Sequence, residues 1–248
     1  MLLAFAPFAL LPAEISRFGW VVLALLLSIL TIHRLGLPSY WLAFPPLVEA
    51  IVLGHPEILV LALLVLGGSK ASGLAPVVKV YAALPLLAER RFRALAAALA
   101  VVVVTVPILP WSTFIAEFPK VLANLARQNV GDSAFGQPVL TAIAVIALVA
   151  LGPRRALWVA VPVIWPFAQP IYKVMSLPVL PPLVALAWAI PMPGFTLVGV
   201  IAWSVGLFVQ KRRVIPAWLS KGLEPMADPG WRWPDAAGRT SRAPAHVT

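Results

Sequence analysis

The chain contains no cysteine, so disulfide frameworks and thiolate chemistry, whether metal-binding or nucleophilic, are excluded. It has little charge. Only 11% of its 248 residues are charged, against about 25% in an ordinary soluble domain, while 61% are hydrophobic and mean hydropathy is +0.95. That balance predicts an integral membrane protein. The segment Met1 to Pro12 is apolar but has no basic residue ahead of it, so it lacks the charged start of a secretory signal and reads as the tail of a membrane helix. His33, His55 and His246 are scattered, with no clustered carboxylates around them, so metal binding is weakly supported and no cofactor is expected. No internal repeat stands out.

What is present is basic and proline-rich. Lys and Arg number 19 against 9 Asp and Glu, yet they fall in short clusters between apolar runs: Arg90, Arg91 and Arg93; Arg154 and Arg155; Lys211, Arg212 and Arg213. Without a basic face carrying interleaved exposed aromatics, nucleic acid is not the expected partner, and the positive-inside rule explains these clusters as cytoplasmic loops. The 26 prolines and 15 glycines are too many for straight helices, so several should be broken or short.

The pattern predicts an all-α, polytopic membrane helix bundle with about seven to nine apolar segments, some too short to cross alone at roughly 20 residues per span. Candidate segments are Phe18 to Ile32, Leu42 to Leu53, Ile58 to Gly68, Ala71 to Ala88, Ala94 to Leu109, Pro138 to Leu151, Ala156 to Phe167, Val174 to Ile190 and Phe195 to Val209. Keeping both later basic clusters on one side needs an even number of crossings, which makes Ala156 to Phe167, interrupted by Pro162 and Pro166, the suspected re-entrant run. Between Trp111 and Gln128 apolar residues recur at helical spacing opposite Glu117, Lys120, Asn124, Arg127 and Gln128, which predicts an amphipathic helix on the outer membrane surface with a bend at Pro119. Residues 1–213 form the membrane domain on this reading, and 214–248, polar and rich in Pro, Gly, Ala and Arg, a flexible cytoplasmic tail.

One cation stands out. Lys79 lies near the middle of the run Ala71 to Ala88, where a charge in a membrane helix costs roughly 2.5 to 3.5 kcal/mol unless a partner, a water-filled cavity or a ligand meets it. An anion site is the functional reading, with Lys79 at a turn between two half-helices. The structural reading is a lysine that snorkels or pairs with Glu49 or Glu57.

The surrounding order is Phe44, Pro45, Pro46, Glu49, Gly54, His55, Pro56, Glu57, an apolar run, Gly73, Lys79, Tyr81, Pro85, then Glu89, Arg90, Arg91, Phe92 and Arg93. Further on come Asn129, Val130, Gly131, Asp132 and Ser133, and then Gln169, Pro170, Ile171 and Tyr172 before the apolar run Leu177 to Leu183. From Phe44 to Ile190 this order resembles the core of glycosyltransferase family 87, whose members are GT-C type mannosyltransferases and relatives that use polyprenyl-phosphate sugars. Two departures matter: His55 and Glu57 stand where many members carry Gln and Asn, and the family's acidic residue in the first large external loop has no counterpart. The chain therefore reads as a C-terminal portion, or a shortened relative, and its catalytic residue is unknown.

The resemblance implies a multi-pass protein of a bacterial plasma membrane that transfers a hexose, mannose first, from a polyprenyl-phosphate donor to a lipid or glycan acceptor at the outer face. It implies Lys79 at the donor phosphate, with Glu49, His55, Glu57, Tyr81, Asp132, Gln169 and Tyr172 as substrate-binding candidates. A non-catalytic membrane protein, such as a transporter subunit or a partner of lipid-linked sugars, fits the same broken helices. Bland alternatives are a turn role for His55, interfacial anchoring by Tyr172 and Trp165, and a solvated pair of Glu89 with Arg90.

Overall fold

The computed structural model describes residues 10–128, 132–166, 168–192, 194–211 and 222, and among these every regular element is helical. The expected tail at 214–248 and the stretch Met1 to Ala9 lie outside the described residues, save Gly222. The first helix, α1 (Ala13–Arg34), follows Pro12 and ends where Gly36 takes a left-handed backbone. At 22 residues it is long and apolar enough to cross a membrane.

Helix α2 (Pro45–Val52) begins on two prolines, and α3 (Glu57–Leu66) leaves it at 113°. Gly54 makes that corner. Its φ is +68°, and an added Cβ would stand 2.8 Å from Cδ1 of Trp20 on α1, so both conformation and packing demand glycine. Helix α3 runs through the core, with Ile58, Val60, Leu61, Leu64 and Val65 buried.

The run expected as one segment over 71–88 is instead a chain of short pieces: α4 (Gly68–Ala71), a 3-10 turn (Ser72–Leu74), α5 (Ala75–Val78), a second 3-10 turn (Val80–Ala82) and α6 (Ala83–Ala88). Pro76 and Pro85 remove backbone donors, and Gly73 lets this run press against α7 (Phe92–Thr105), where an added Cβ would meet the Ala94 carbonyl oxygen at 2.7 Å. Helix α8 (Trp111–Gln128) covers the span predicted to be amphipathic, with Pro119 inside it and Ile115, Phe118 and Val121 exposed.

The second half packs α9 (Pro138–Leu151), α10 (Pro153–Ile164), α11 (Pro182–Ala189) and α12 (Phe195–Lys211) around the fully buried Trp158, Trp188 and Trp203. Helix α10 is the run suspected of being re-entrant. It is 12 residues long, with Trp158 to Val163 all buried among neighbours. Val174 to Ile190, expected as one segment, is broken: a 3-10 helix (Pro170–Ser176) gives way to a turn over 177–179 that contains Pro178, and Pro181 stands extended before α11 begins. Among the described residues, only α1 is by itself long and apolar enough to cross a membrane, α2 and α3 are so together as a bent pair, and α7, α9 and α12 are shorter apolar helices.

Candidate functional site

Three elements bring polar side chains together beside the corner at Gly54. Glu57 opens α3 and is fully buried. Lys79 occupies the break between α5 and the following 3-10 turn, with an extended backbone at φ −143° and ψ 115°. Its amide donates to the Ala75 carbonyl and its carbonyl accepts from the Ala82 amide, so the break is held on both sides. Tyr172 comes from the 3-10 helix Pro170–Ser176.

Glu57 is the hub of this cluster. Its Oε1 accepts a hydrogen bond from the Tyr81 hydroxyl at 3.0 Å and lies 3.3 Å from Lys79 Nζ. Its Oε2 lies 3.3 Å from His55 Nδ1 without an aligned hydrogen bond, so that contact becomes an attraction only when the imidazole is protonated. An isolated buried carboxylate would cost several kcal/mol, and Lys79 supplies the compensating charge. The ammonium also stands 5.5 Å from the Tyr172 ring centre and 6.0 Å from that of Tyr81, within cation–π range. Tyr81 meets Tyr172 and Trp165 edge-on, at 5.2 and 5.7 Å between centres, forming an aromatic wall. The cluster is not sealed, because the side chains of Lys79 and His55 keep 22% and 32% of their surface exposed.

His55, Glu57, Lys79, Tyr81 and Tyr172 thus stand together. Three other sequence candidates do not. Glu49 is exposed on α2 and makes no ion pair with any described residue, since the bend at Gly54 turns Glu57, and not Glu49, toward Lys79. Gln169 is exposed, three residues ahead of Tyr172. Asp132, expected among the substrate-binding residues, is instead locked inside a second cluster.

That second cluster turns on a residue that sequence reasoning missed. Lys173 is 1% exposed, and its Nζ lies 2.7 Å from Asp132 Oδ2 and 3.3 Å from the Trp188 carbonyl oxygen, to which it donates. Thr196 donates to the same Asp132 oxygen at 2.5 Å, and Trp188 Nε1 donates to the Thr196 carbonyl at 3.1 Å. The Asp132 amide donates to the Ala168 carbonyl. This network ties the segment before α9 to the 3-10 helix and to the start of α12. The signal was available: Lys173 sits among Ile171, Val174 and Met175, the same expensive placement that singled out Lys79.

Glu89 also differs from expectation. It is not a solvated partner of Arg90 but accepts from Arg154 Nε at 2.8 Å and from Trp158 Nε1 at 3.0 Å, joining the turn after α6 to the start of α10. Among the described residues no three His or carboxylate side chains gather as metal ligands. Compared with models of known protein families, with curated proteins and with solved structures, the chain gives no match.

Proposed function

We propose that this chain is a multi-pass membrane protein that binds a polyprenyl-phosphate-linked hexose, mannose first, and takes part in its transfer to a lipid or glycan acceptor. Membrane embedding is supported by the outward faces of its helices. Phe18, Leu26 and Leu30 on α1, Val103 and Val104 on α7, Ile146 and Val149 on α9, and Val198, Val205 and Phe208 on α12 are each more than half exposed. Water-soluble monomers rarely expose apolar surface on so many elements at once. A bilayer would cover it.

The single observation carrying the donor site is Lys79: a cation at a break in a helical run, partly open, beside an aromatic wall. Displacing a polyprenyl phosphate from an anomeric carbon leaves a phosphate dianion, and a fixed cation in a low-dielectric setting stabilises that developing charge. Tyr172, half-buried, offers a face against which a sugar ring can stack, while Tyr81 is buried behind it. Removing the acceptor's proton calls for a carboxylate within reach. Glu57 suits that role poorly, because it is fully buried and Tyr81 and Lys79 both engage its Oε1, and Asp132 is held in its own pair. Lys79 and Tyr172 therefore bind and orient the donor, with Tyr81 behind them holding Glu57, and the base comes from elsewhere.

A second reading draws on the same observation. Since Glu57 already balances Lys79, the pair is self-sufficient, as expected of a membrane partner that holds a lipid-linked sugar without turning it over. The two readings share donor binding and part at transfer. The test uses the full chain in lipid nanodiscs with radiolabelled polyprenyl-phosphate-mannose. Glu57→Gln removes the carboxylate that competes for the ammonium, so donor affinity should hold or rise. Glu57→Gln with Lys79→Met keeps shape without charge, and affinity should fall about tenfold or more, the loss of one charge-assisted contact. Donor that fails to bind the unaltered chain, or that binds the double variant equally well, would remove the proposal; label that binds without moving to an acceptor selects the second reading.

A further inference from the structure

Three turns distant in sequence bring cations to one end of the molecule. Arg91 donates to the carbonyls of Leu64 and Gly68, which fastens the turn between α6 and α7 to the junction of α3 and α4. Glu89 on that same turn receives Arg154 and Trp158, which fastens it to the start of α10. Lys70, Arg90, Arg91, Arg93 and Arg154 therefore line one rim, while the neighbouring Arg155 lies over the ring of Trp203. Glu89 is the carboxylate within it, and it is spent on Arg154.

Among the described residues, the remaining acids do not answer this charge. Glu57 and Asp132 are paired inside the molecule, Glu117 is paired with Lys120 on α8, and Glu14 and Glu49 lie on α1 and α2. Lys70, Arg90 and Arg93 are exposed and make no ion pair with any described residue. Arg90 adds a second observation. The turn closes with Arg91 N–H on the Leu86 carbonyl and Arg90 N–H on that of Leu87, a helix-ending motif that places its penultimate residue in the left-handed region and normally uses glycine. Here an arginine takes φ +53°.

We propose that this rim docks on the anionic headgroups of a lipid surface. Its exposed members Lys70, Arg90 and Arg93 are of one sign and flanked by apolar residues, with Phe92 exposed between Arg91 and Arg93, Leu87 exposed ahead of Arg90 and Leu74 exposed just beyond Lys70. Phosphodiester headgroups match it: guanidinium forks engage phosphate oxygens in pairs, and the adjacent apolar side chains enter the acyl boundary. This site is separate from Lys79 and independent of sugar transfer, so either proposal can fail alone.

The experiment follows thermal unfolding of the full chain in neutral detergent while phosphatidylglycerol, phosphatidylcholine or inorganic phosphate is added. Phosphatidylglycerol should raise the midpoint more than phosphatidylcholine does, and high salt should abolish the difference. Combining Lys70→Gln, Arg90→Gly and Arg93→Gln should weaken phosphatidylglycerol binding about a hundredfold, roughly fivefold for each cation. Arg90→Gly by itself should leave the lipid-free midpoint unchanged or higher, because glycine relieves the left-handed backbone, while still weakening lipid binding about fivefold. Equal responses to the two lipids, an equal response to inorganic phosphate, or a triple variant with full lipid affinity would each overturn the proposal.

Discussion

Among the described residues, two lysine–carboxylate pairs with a buried carboxylate, Lys173 with Asp132 and Lys79 with Glu57, differ in every physical respect that governs their roles. Lys173 and Asp132 approach to 2.7 Å with side chains 1% and 7% exposed, and a threonine hydroxyl and a backbone carbonyl hydrogen-bond to them, while Asp132 Oδ1 is buried without a hydrogen-bond partner among the described residues. Lys79 and Glu57 stand 3.3 Å apart, the lysine 22% exposed, with an imidazole and two phenol rings around them. A short, enclosed and hydrogen-bonded pair has no room to change partners and acts as a staple. A longer pair with one open member can give its cation to an arriving anion. The neighbours Tyr172 and Lys173 join the two, because one short 3-10 helix directs one residue to each centre.

The largest effect should come from breaking the staple. Lys173→Met leaves Asp132 charged, buried and unpaired, a change that costs about 3 to 5 kcal/mol in buried pairs. Unfolding in detergent should show that loss, and adding Asp132→Asn should restore most of it. If Lys173→Met costs no more than removing an exposed ion pair, under about 1 kcal/mol, the contrast between the two centres collapses.

A smaller effect is expected at the open centre from Tyr81→Phe. It deletes the hydroxyl that donates to Glu57 and leaves that oxygen to Lys79 alone, which should cost about 1 to 3 kcal/mol of stability. Binding should respond in the opposite direction from Glu57→Gln: a carboxylate with one donor fewer holds Lys79 harder, so donor affinity should drop. Equal behaviour of the two variants in binding would mean that Glu57 does not compete for the ammonium at all.

How much of this was legible in the sequence follows from which forces are local. The amphipathic helix at Trp111–Gln128 is written in side-chain periodicity, and helix occupies those residues. The singular Lys79 is visible because a charge in an apolar run is expensive wherever the chain goes. Its partner is not visible in the same way, since the choice of Glu57 over Glu49 depends on a 113° corner at Gly54, set by how closely Trp20 packs against that glycine. Gly67, Gly68, Pro76 and Pro85 mark the run from Gly68 to Ala88 as breakable, but its division into five pieces depends on the approach to α7 at Ala94, a contact between separate segments. Asp132 misled for the complementary reason: a Gly-Asp-Ser sequence has the chemistry of an open turn, and only the placement of Lys173 and Thr196 buries it. Both the fold of the second half and the lock on Asp132 rest on contacts across 41 to 64 positions of sequence, which no local pattern records.

The finest distinction between the centres lies in the aromatic wall. Tyr172 presents its ring 5.5 Å from Lys79 Nζ and packs edge-on against Tyr81, and exposed cation–π contacts are worth about 0.5 to 1 kcal/mol. Tyr172→Leu keeps apolar volume and removes the ring face, so stability should fall by about that amount and no more, while Lys173, on the far side of the same 3-10 helix, should keep its bond to Asp132. Sugar binding separates the two uses of the ring. If Tyr172 stacks on the hexose, Tyr172→Leu weakens polyprenyl-phosphate-mannose more than it weakens polyprenyl phosphate alone, because only the former has a ring to lose. Equal weakening of both would assign the tyrosine to holding Lys79 in place, and a loss of several kcal/mol of stability would show that the open centre is as much a staple as the closed one.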